Sequence, residues 1–168
     1  MGAGKTTLGK VLAKKLGVEF IDLDHYIESR YRKTIPQLFA ENGEDGFREI
    51  ERKMLHEAGE FENVIISTGG GTPCFFDNMD YMNTIGNTVF LKVSVDELAA
   101  RLEIAKAQRP VLKGKKGEDL KTFISENLEK RKPFYNKAKI HFEAETMSNE
   151  KEIEQLAQQL VDSHLLSI

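Results

Sequence analysis

An α/β fold, with a parallel β-sheet covered by helices on both faces, is the class this 168-residue sequence predicts. Three observations carry it. Short apolar runs of strand type alternate with segments whose apolar residues recur at helical spacing. The chain opens on Met1-Gly2-Ala3-Gly4-Lys5-Thr6-Thr7, most of the phosphate-binding pattern G-x-x-x-x-G-K-[ST], which joins a strand to a helix in such folds. Gly69-Gly70-Gly71 directly follows an apolar run, at the kind of strand exit where open α/β sheets bind ligands.

Each element follows in order. Leu8, Val11, Leu12 and Leu16 mark a first helix, and Gly17 stands at its C-cap position. Val18 to Asp24 reads as a strand ending in two acids. Thr34-Ile35-Pro36-Gln37 is a capping box with an early proline, opening a short helix that stops near Gly43. A longer helix follows, with Phe47, Ile50, Met54, Ala58 and Phe61 as its apolar stripe. Val64-Ile65-Ile66 and Thr88 to Val93 are strands. Ser94-Val95-Asp96-Glu97 caps a helix carrying Leu98, Leu102 and Ala105. Residues 108–118, with Arg109-Pro110 and a Lys/Gly-rich stretch, form the expected mobile loop. A helix with Leu120, Phe123, Ile124 and Leu128 ends in Arg131-Lys132-Pro133-Phe134-Tyr135. Ile140-His141-Phe142 is the last strand, and Ile153, Leu156, Ala157, Leu160 and Val161 mark a terminal amphipathic helix.

Composition sets bounds. The length suits one domain spanning 1–168. A net charge of −3 gives no basic footprint for nucleic acid. No apolar run has the length of a bilayer span, and the start lacks a signal-peptide pattern. The lone Cys74 cannot form an intrachain disulfide, which fits a reducing cytoplasm. The histidines and Cys74 show no metal-ligand spacing.

The chemistry begins at the N-terminus. Amides of a phosphate loop ring the nucleotide phosphates, and the helix that follows turns its positive dipole end toward them. Lys5 then reaches the outer phosphates and the Thr6 hydroxyl holds Mg²⁺. Counting back, the first loop glycine falls two places before Met1. One further strand is therefore expected ahead of Met1, and without it the chain is expected to be poorly stable and poorly active. Elsewhere two meanings stay open. Asp22 and Asp24 either face the mouth of the sheet or cap the next helix. Arg48 and Glu51, three apart on a helix, read by themselves as a solvated pair. Arg109 is either a solvated loop residue or a closing cation. Arg131 suits a helix C-terminus or a fork for a carboxylate. The triple glycine favours close backbone approach by a ligand.

As an ordered set these segments resemble the shikimate kinase family. The set is Gly2-Ala3-Gly4-Lys5-Thr6-Thr7, Asp22-Leu23-Asp24, Phe47-Arg48-Glu49-Ile50-Glu51, Gly69-Gly70-Gly71, Arg109-Pro110 and Arg131-Lys132-Pro133-Phe134-Tyr135. The resemblance implies a P-loop kinase of the nucleoside-monophosphate-kinase type, its parallel sheet in the order 2-3-1-4-5. The strand absent from this chain is the central one, between the strands around Ile65 and Phe90. It implies transfer of the ATP γ-phosphoryl group to the 3-hydroxyl of shikimate. The implied ATP contacts are Gly2, Ala3, Gly4, Lys5, Thr6, Thr7 and the lid residue Arg109. Mg²⁺ is held by Thr6 and, through water, by Asp22. Asp24, Arg48, Gly70 and Arg131 bind shikimate, the two arginines at its carboxylate. Lys5, Asp24 and Arg109 are the implied catalytic groups, Asp24 as base. The expected protein is a cytoplasmic monomer acting on ATP and shikimate. Adenine contacts are unassigned, with Lys106 in the place nearest the family's stacking arginine. A gluconate or nucleoside monophosphate kinase, and a non-catalytic nucleotide-binding fragment, are the competing readings. The triple glycine and paired arginines fit shikimate better than the other small substrates.

Overall fold

A computed structural model describes residues 2–104 and 116–163. The described elements are α1 (Lys5–Leu16), β1 (Glu19–Asp22), α2 (Leu23–Tyr31), α3 (Ile35–Gly59), β2 (Val64–Ser67), a 3-10 turn (Thr72–Cys74), α4 (Asn78–Ile85), β3 (Val89–Lys92), α5 (Val95–Ile104), α6 (Gly117–Tyr135), β4 (Ile140–Glu143) and α7 (Glu150–Asp162). The α/β alternation expected from the sequence is present. Parallel strands are joined through helices, as parallel connections require.

Local chemistry sets the boundaries. Gly17 ends α1 in the left-handed region at φ 70°, its N–H on the Ala13 carbonyl. Thr34 and Gln37 form the reciprocal capping box that opens α3, with Pro36 in its first turn. Gly43, at φ 69° and ψ −176°, breaks α3 where the sequence places a helix end; the chain resumes helical geometry beyond it. The strand read through Asp24 ends earlier. Asp22 caps α2 by accepting from the His25 N–H, so Asp24 lies in that helix's first turn. Phe61 does not extend the α3 stripe: it lies past the helix end and is 49% exposed. The loop expected over 108–118 falls mostly outside the described residues. Gly117 and Glu118 already belong to α6. Helix α4 and the 3-10 turn had no element assigned from sequence, because their apolar residues are few and their caps are weak.

Sheet pairing is the main departure from a continuous sheet. β1 pairs with β2 in parallel, Glu19 opposite Val64 through Asp22 opposite Ser67. β3 pairs with β4 in parallel, Val89 opposite Ile140 through Lys92 opposite Glu143. Among the described residues no ladder joins β2 to β3. A cavity of about 1120 Å³ lies between them, lined by Ile65 and Ile66 on one side, Val89 and Leu91 on the other, and Leu8 and Leu12 below. Strands of this apolar type are normally buried on both faces, yet Val64, Ile65, Ile66 and all of β3 are only half-buried. The gap stands where the family order puts its central strand.

The two strand pairs are held together by helices. Leu8 and Leu12 of α1 and Leu156, Ala157 and Leu160 of α7 form one buried cluster, against which Ile65, Val89, Leu91 and Phe142 pack. A second cluster joins α2 and α3 through Leu23, Ile27, Leu38, Phe47, Met54 and Leu55. A third joins α5 and α6 through Leu98, Leu102, Leu120 and Ile124. No helix among the described residues is long and apolar enough to cross a membrane.

Candidate functional site

The N-terminus of α1 is built for an anion. Gly4 precedes it in the left-handed region at φ 82°, with no side chain capping the helix and no acid in its first turn. The first amides of the helix lack internal partners, and the dipole favours negative charge there. The loop is braced from behind by Arg101, which donates to the carbonyls of Ala3 at 3.4 Å, Ala144 at 3.0 Å and Glu145 at 2.7 Å. Sequence inspection gives Arg101 no role, because its partners are backbone atoms from distant parts of the chain.

Beside the loop, the Thr6 hydroxyl donates to Asp22 at 2.7 Å. This brings together the two groups implied for Mg²⁺, and hard oxygen donors of this kind suit that ion. Among the described residues no group of three or more His, Cys, Asp or Glu side chains is placed to hold a metal ion, so a cation seated beside Thr6 and Asp22 would meet few protein oxygens. Such sparse protein ligation suits Mg²⁺, which in nucleotide sites keeps several waters and takes phosphate oxygens. Of the two meanings left open by sequence, capping is present: the other oxygen of Asp22 accepts from the His25 N–H at 3.4 Å. Thr7 is exposed on the first turn of α1.

Asp24 is exposed at the site's mouth, but its carboxyl pKa is raised above the usual 3.8. The main cause is loss of hydration to the surrounding protein; next come the charges of Asp22 and Glu51, while Lys5 opposes the shift. Lys5 and Asp24 therefore share one electrostatic neighbourhood.

The Arg48–Glu51 pair is no surface decoration. Glu51 is 2% exposed. One of its oxygens accepts from Arg48 Nη1 at 2.8 Å and the other from the Thr72 hydroxyl at 2.6 Å. Asn78 Nδ2 holds the Thr72 carbonyl at 2.9 Å. A buried carboxylate needs such partners, and here they fix Arg48 in place. The glycine run answers to the same side chains. A Cβ at Gly71 would stand 3.0 Å from both terminal nitrogens of Arg48. One at Gly69 would stand 3.1 Å from the Thr72 hydroxyl and 3.2 Å from an Asp24 oxygen. Small size at these positions thus makes room for the site's own groups.

Arg131, on α6, arrives from the other side. The Cys74 thiol, whose pKa is raised mainly by burial, is opposed by the positive charges of both Arg131 and Arg48. One turn after Arg131, the Tyr135 hydroxyl donates to the Gly70 carbonyl at 2.6 Å. The Tyr135 ring also packs on Phe90 of β3, with centroids 4.9 Å apart. These contacts tie α6 to the glycine run and to β3, while the bond from Thr72 to Glu51 ties the residue after that run to α3. Arg109 and Lys106 lie outside the described residues. Of the residues singled out from sequence, the structure gathers Lys5, Thr6, Asp22 and Asp24 on one side and Arg48, Gly70 and Arg131 on the other. Glu51 links the two sets through its contact with Arg48 and its field at Asp24.

The chain is similar to known proteins along nearly its whole length. The family model described as "Shikimate kinase" matches residues 1–163. A shikimate kinase of Parabacteroides distasonis is 63% identical over 161 residues, covering 96% of this chain and 93% of that protein. The crystal structure of shikimate kinase from Bacteroides thetaiotaomicron superposes with a TM-score of 0.95 at 58% identity, covering 99% of this chain and 94% of that one. The shikimate kinase of Acinetobacter baumannii in complex with shikimate gives a TM-score of 0.82 at 34% identity, with 98% and 88% covered. Matched by that family model over nearly its whole length, and by relatives of this identity and coverage, the chain belongs to the shikimate kinase family.

Proposed function

We propose that the site transfers the γ-phosphoryl group of ATP to the 3-hydroxyl of shikimate, with roles divided as follows. The amides of Gly2, Ala3 and Gly4 and the start of α1 seat the ATP phosphates, with Lys5 on the outer ones and Thr7 beside them. Thr6 and Asp22 hold Mg²⁺, Asp22 through water; when bound, that ion neutralises phosphate charge. Arg48 and Arg131 take the substrate carboxylate, and the backbone at Gly70 lies under the ring. Asp24 orients the hydroxyl and accepts its proton, a task helped by a carboxyl pKa moved toward the working pH. Arg109 closes over the phosphates. Phosphoryl transfer asks chiefly for positioning and charge stabilisation, which is what this set provides.

The observation that carries this reading is that Arg48 of α3 stands against Gly71 of the glycine run, and that Arg48 and Arg131 of α6 both bring positive charge to Cys74 just beyond it. A small polyol carrying one carboxylate fits two cations and a short acid better than a nucleotide base does. All the groups come from one chain, which suits a monomer. The lone thiol and the use of ATP suit the cytoplasm.

An ADP-release assay over shikimate, gluconate and nucleoside monophosphates tests the substrate. Turnover with gluconate or a nucleotide and none with shikimate sinks the proposal. Arg48→Ala tests the clamp: losing a charged hydrogen-bond partner costs about 1.5–3 kcal/mol, or tenfold and more in affinity. Shikimate binding should fall by that amount in calorimetry while ATP binding holds. Equal losses for both ligands contradict the assignment.

A further inference from the structure

Arg48 is oriented by more than its ion pair. Its guanidinium carbon stands 4.1 Å from the ring centroid of Phe75, 5.3 Å from that of Phe47 and 5.6 Å from that of Phe39. Phe39 and Phe47 have another task, since they stack on each other at 4.1 Å and Phe47 is buried in the α2–α3 core. Phe75 does not share it. It follows the 3-10 turn in extended conformation, is half-buried, and belongs to none of the three apolar clusters. The described contact of its ring is with Arg48.

We propose that Phe75 is a positioning residue that fixes the plane of the Arg48 guanidinium for the substrate's carboxylate. The proposal rests on the reading that Arg48 binds that carboxylate. The bond from Nη1 to Glu51 anchors one corner of the fork but leaves rotation about that corner. A ring lying 4.1 Å from the guanidinium removes this freedom, because a flat cation prefers to lie on an aromatic face. The ring offers no acceptor, so it leaves the donor edge of the fork untouched. That edge keeps hydrogen-bonding capacity. Nε is buried without a protein partner, and Nη2 has only a 3.5 Å contact with the exposed Glu44. The guanidinium is flat by its own bonding, so what a carboxylate binding two parallel N–H groups needs is that plane aimed at it, and a ring 4.1 Å from the guanidinium carbon restricts how the plane can turn.

The next residue supplies a control. Phe76 stands beside Arg52 at 5.1 Å, is 53% exposed, and lies outside the site. The experiment compares Phe75→Leu, Phe75→Tyr and Phe76→Leu in steady-state kinetics, with shikimate Kd from calorimetry and Tm alongside. Phe75→Leu should raise shikimate KM and Kd about threefold to tenfold, the usual range for a partly desolvated cation–π contact, with kcat and ATP KM changed less than about twofold. Phe75→Tyr should restore the parent values, and Phe76→Leu should match them. If Phe75→Leu does not fold, Phe75→Met takes its place with the same expectation. Unchanged shikimate affinity in the Leu or Met variant, or no rescue by Tyr, overturns the proposal and leaves Phe75 as packing. Arg48→Ala in parallel separates the two levels. If it weakens shikimate and Phe75→Leu does not, only the role of Phe75 falls; if it leaves shikimate binding unchanged, the carboxylate reading falls and this inference with it.

Discussion

Asp24 is held between opposing demands. Its carboxyl pKa is raised by lost hydration first and by Asp22 and Glu51 next. A raised carboxyl pKa means the folded chain binds more protons than the unfolded chain between the unfolded value near 3.8 and the folded value above it. Stability contributed at Asp24 therefore falls as pH rises through that window, and the ionised form is a strain on the fold at neutral pH. Asp24→Asn, which keeps the shape and removes the charge, should raise Tm at pH 7. The gain should shrink as pH falls through the folded pKa toward 3.8, where the parent carboxyl is already neutral. Shikimate turnover should be lost throughout. Thermal melts of both proteins from pH 7 down to the acid limit check this; a gain that does not depend on pH would show that the charge is not its source.

At the scale of elements, the site depends on how α3, α6 and the glycine run meet. The hydroxyl of Tyr135 joins α6 to the carbonyl of Gly70, while the ring rests on Phe90. Tyr135→Phe keeps the ring and deletes the tie, leaving the Gly70 carbonyl with the weaker Cys74 thiol at 3.9 Å. The expected loss is about 1 kcal/mol, or about 2–4 °C in Tm for a domain of this size. Shikimate affinity should weaken with it and ATP affinity should not, because the phosphate loop is braced separately by Arg101. Parallel melts and calorimetry check both parts. Weakening of ATP alone would place Tyr135 with the wrong half of the site.

For the molecule as a whole, the gap between β2 and β3 is the dominant fact. Both strands face a cavity of about 1120 Å³ with apolar walls, and among the described residues neither pairs across it. A parallel strand seated there would gain ladder bonds on both edges, each about 0.5–1.5 kcal/mol net, and would cover Ile65, Ile66, Val89 and Leu91. An apolar β-forming segment joined ahead of Met1 and ending in Gly-x should therefore raise Tm by about 5 °C or more and tighten ATP binding, because it fixes where Gly4 and Lys5 start. Equal melting temperatures and equal ATP affinities with and without that segment would show that helices α1 and α7 alone satisfy the core.

The sequence by itself determined what depends on neighbours along the chain. The period of Leu8, Leu12 and Leu16, the Gly17 stop, the Thr34–Gln37 box and the apolar runs at Ile65 and Phe90 are local signals, and they placed the corresponding helices and strands. Through the family resemblance, the ordered motifs likewise pointed to Lys5, Thr6, Asp22, Asp24, Arg48, Gly70 and Arg131 as the site proposed here. What adjoining residues do not encode had to come from tertiary structure. The pair of Arg48 and Glu51 looks like a solvated i, i+3 contact until the fold buries Glu51 and brings Thr72 to its second oxygen. Phe75 reads as an ordinary apolar residue until the 3-10 turn sets it on Arg48. Arg101 and Tyr135 act on carbonyls 98 and 65 positions away. Partners that distant are chosen by packing and by the need to satisfy buried polar groups, and both are set only when the whole chain has closed on itself.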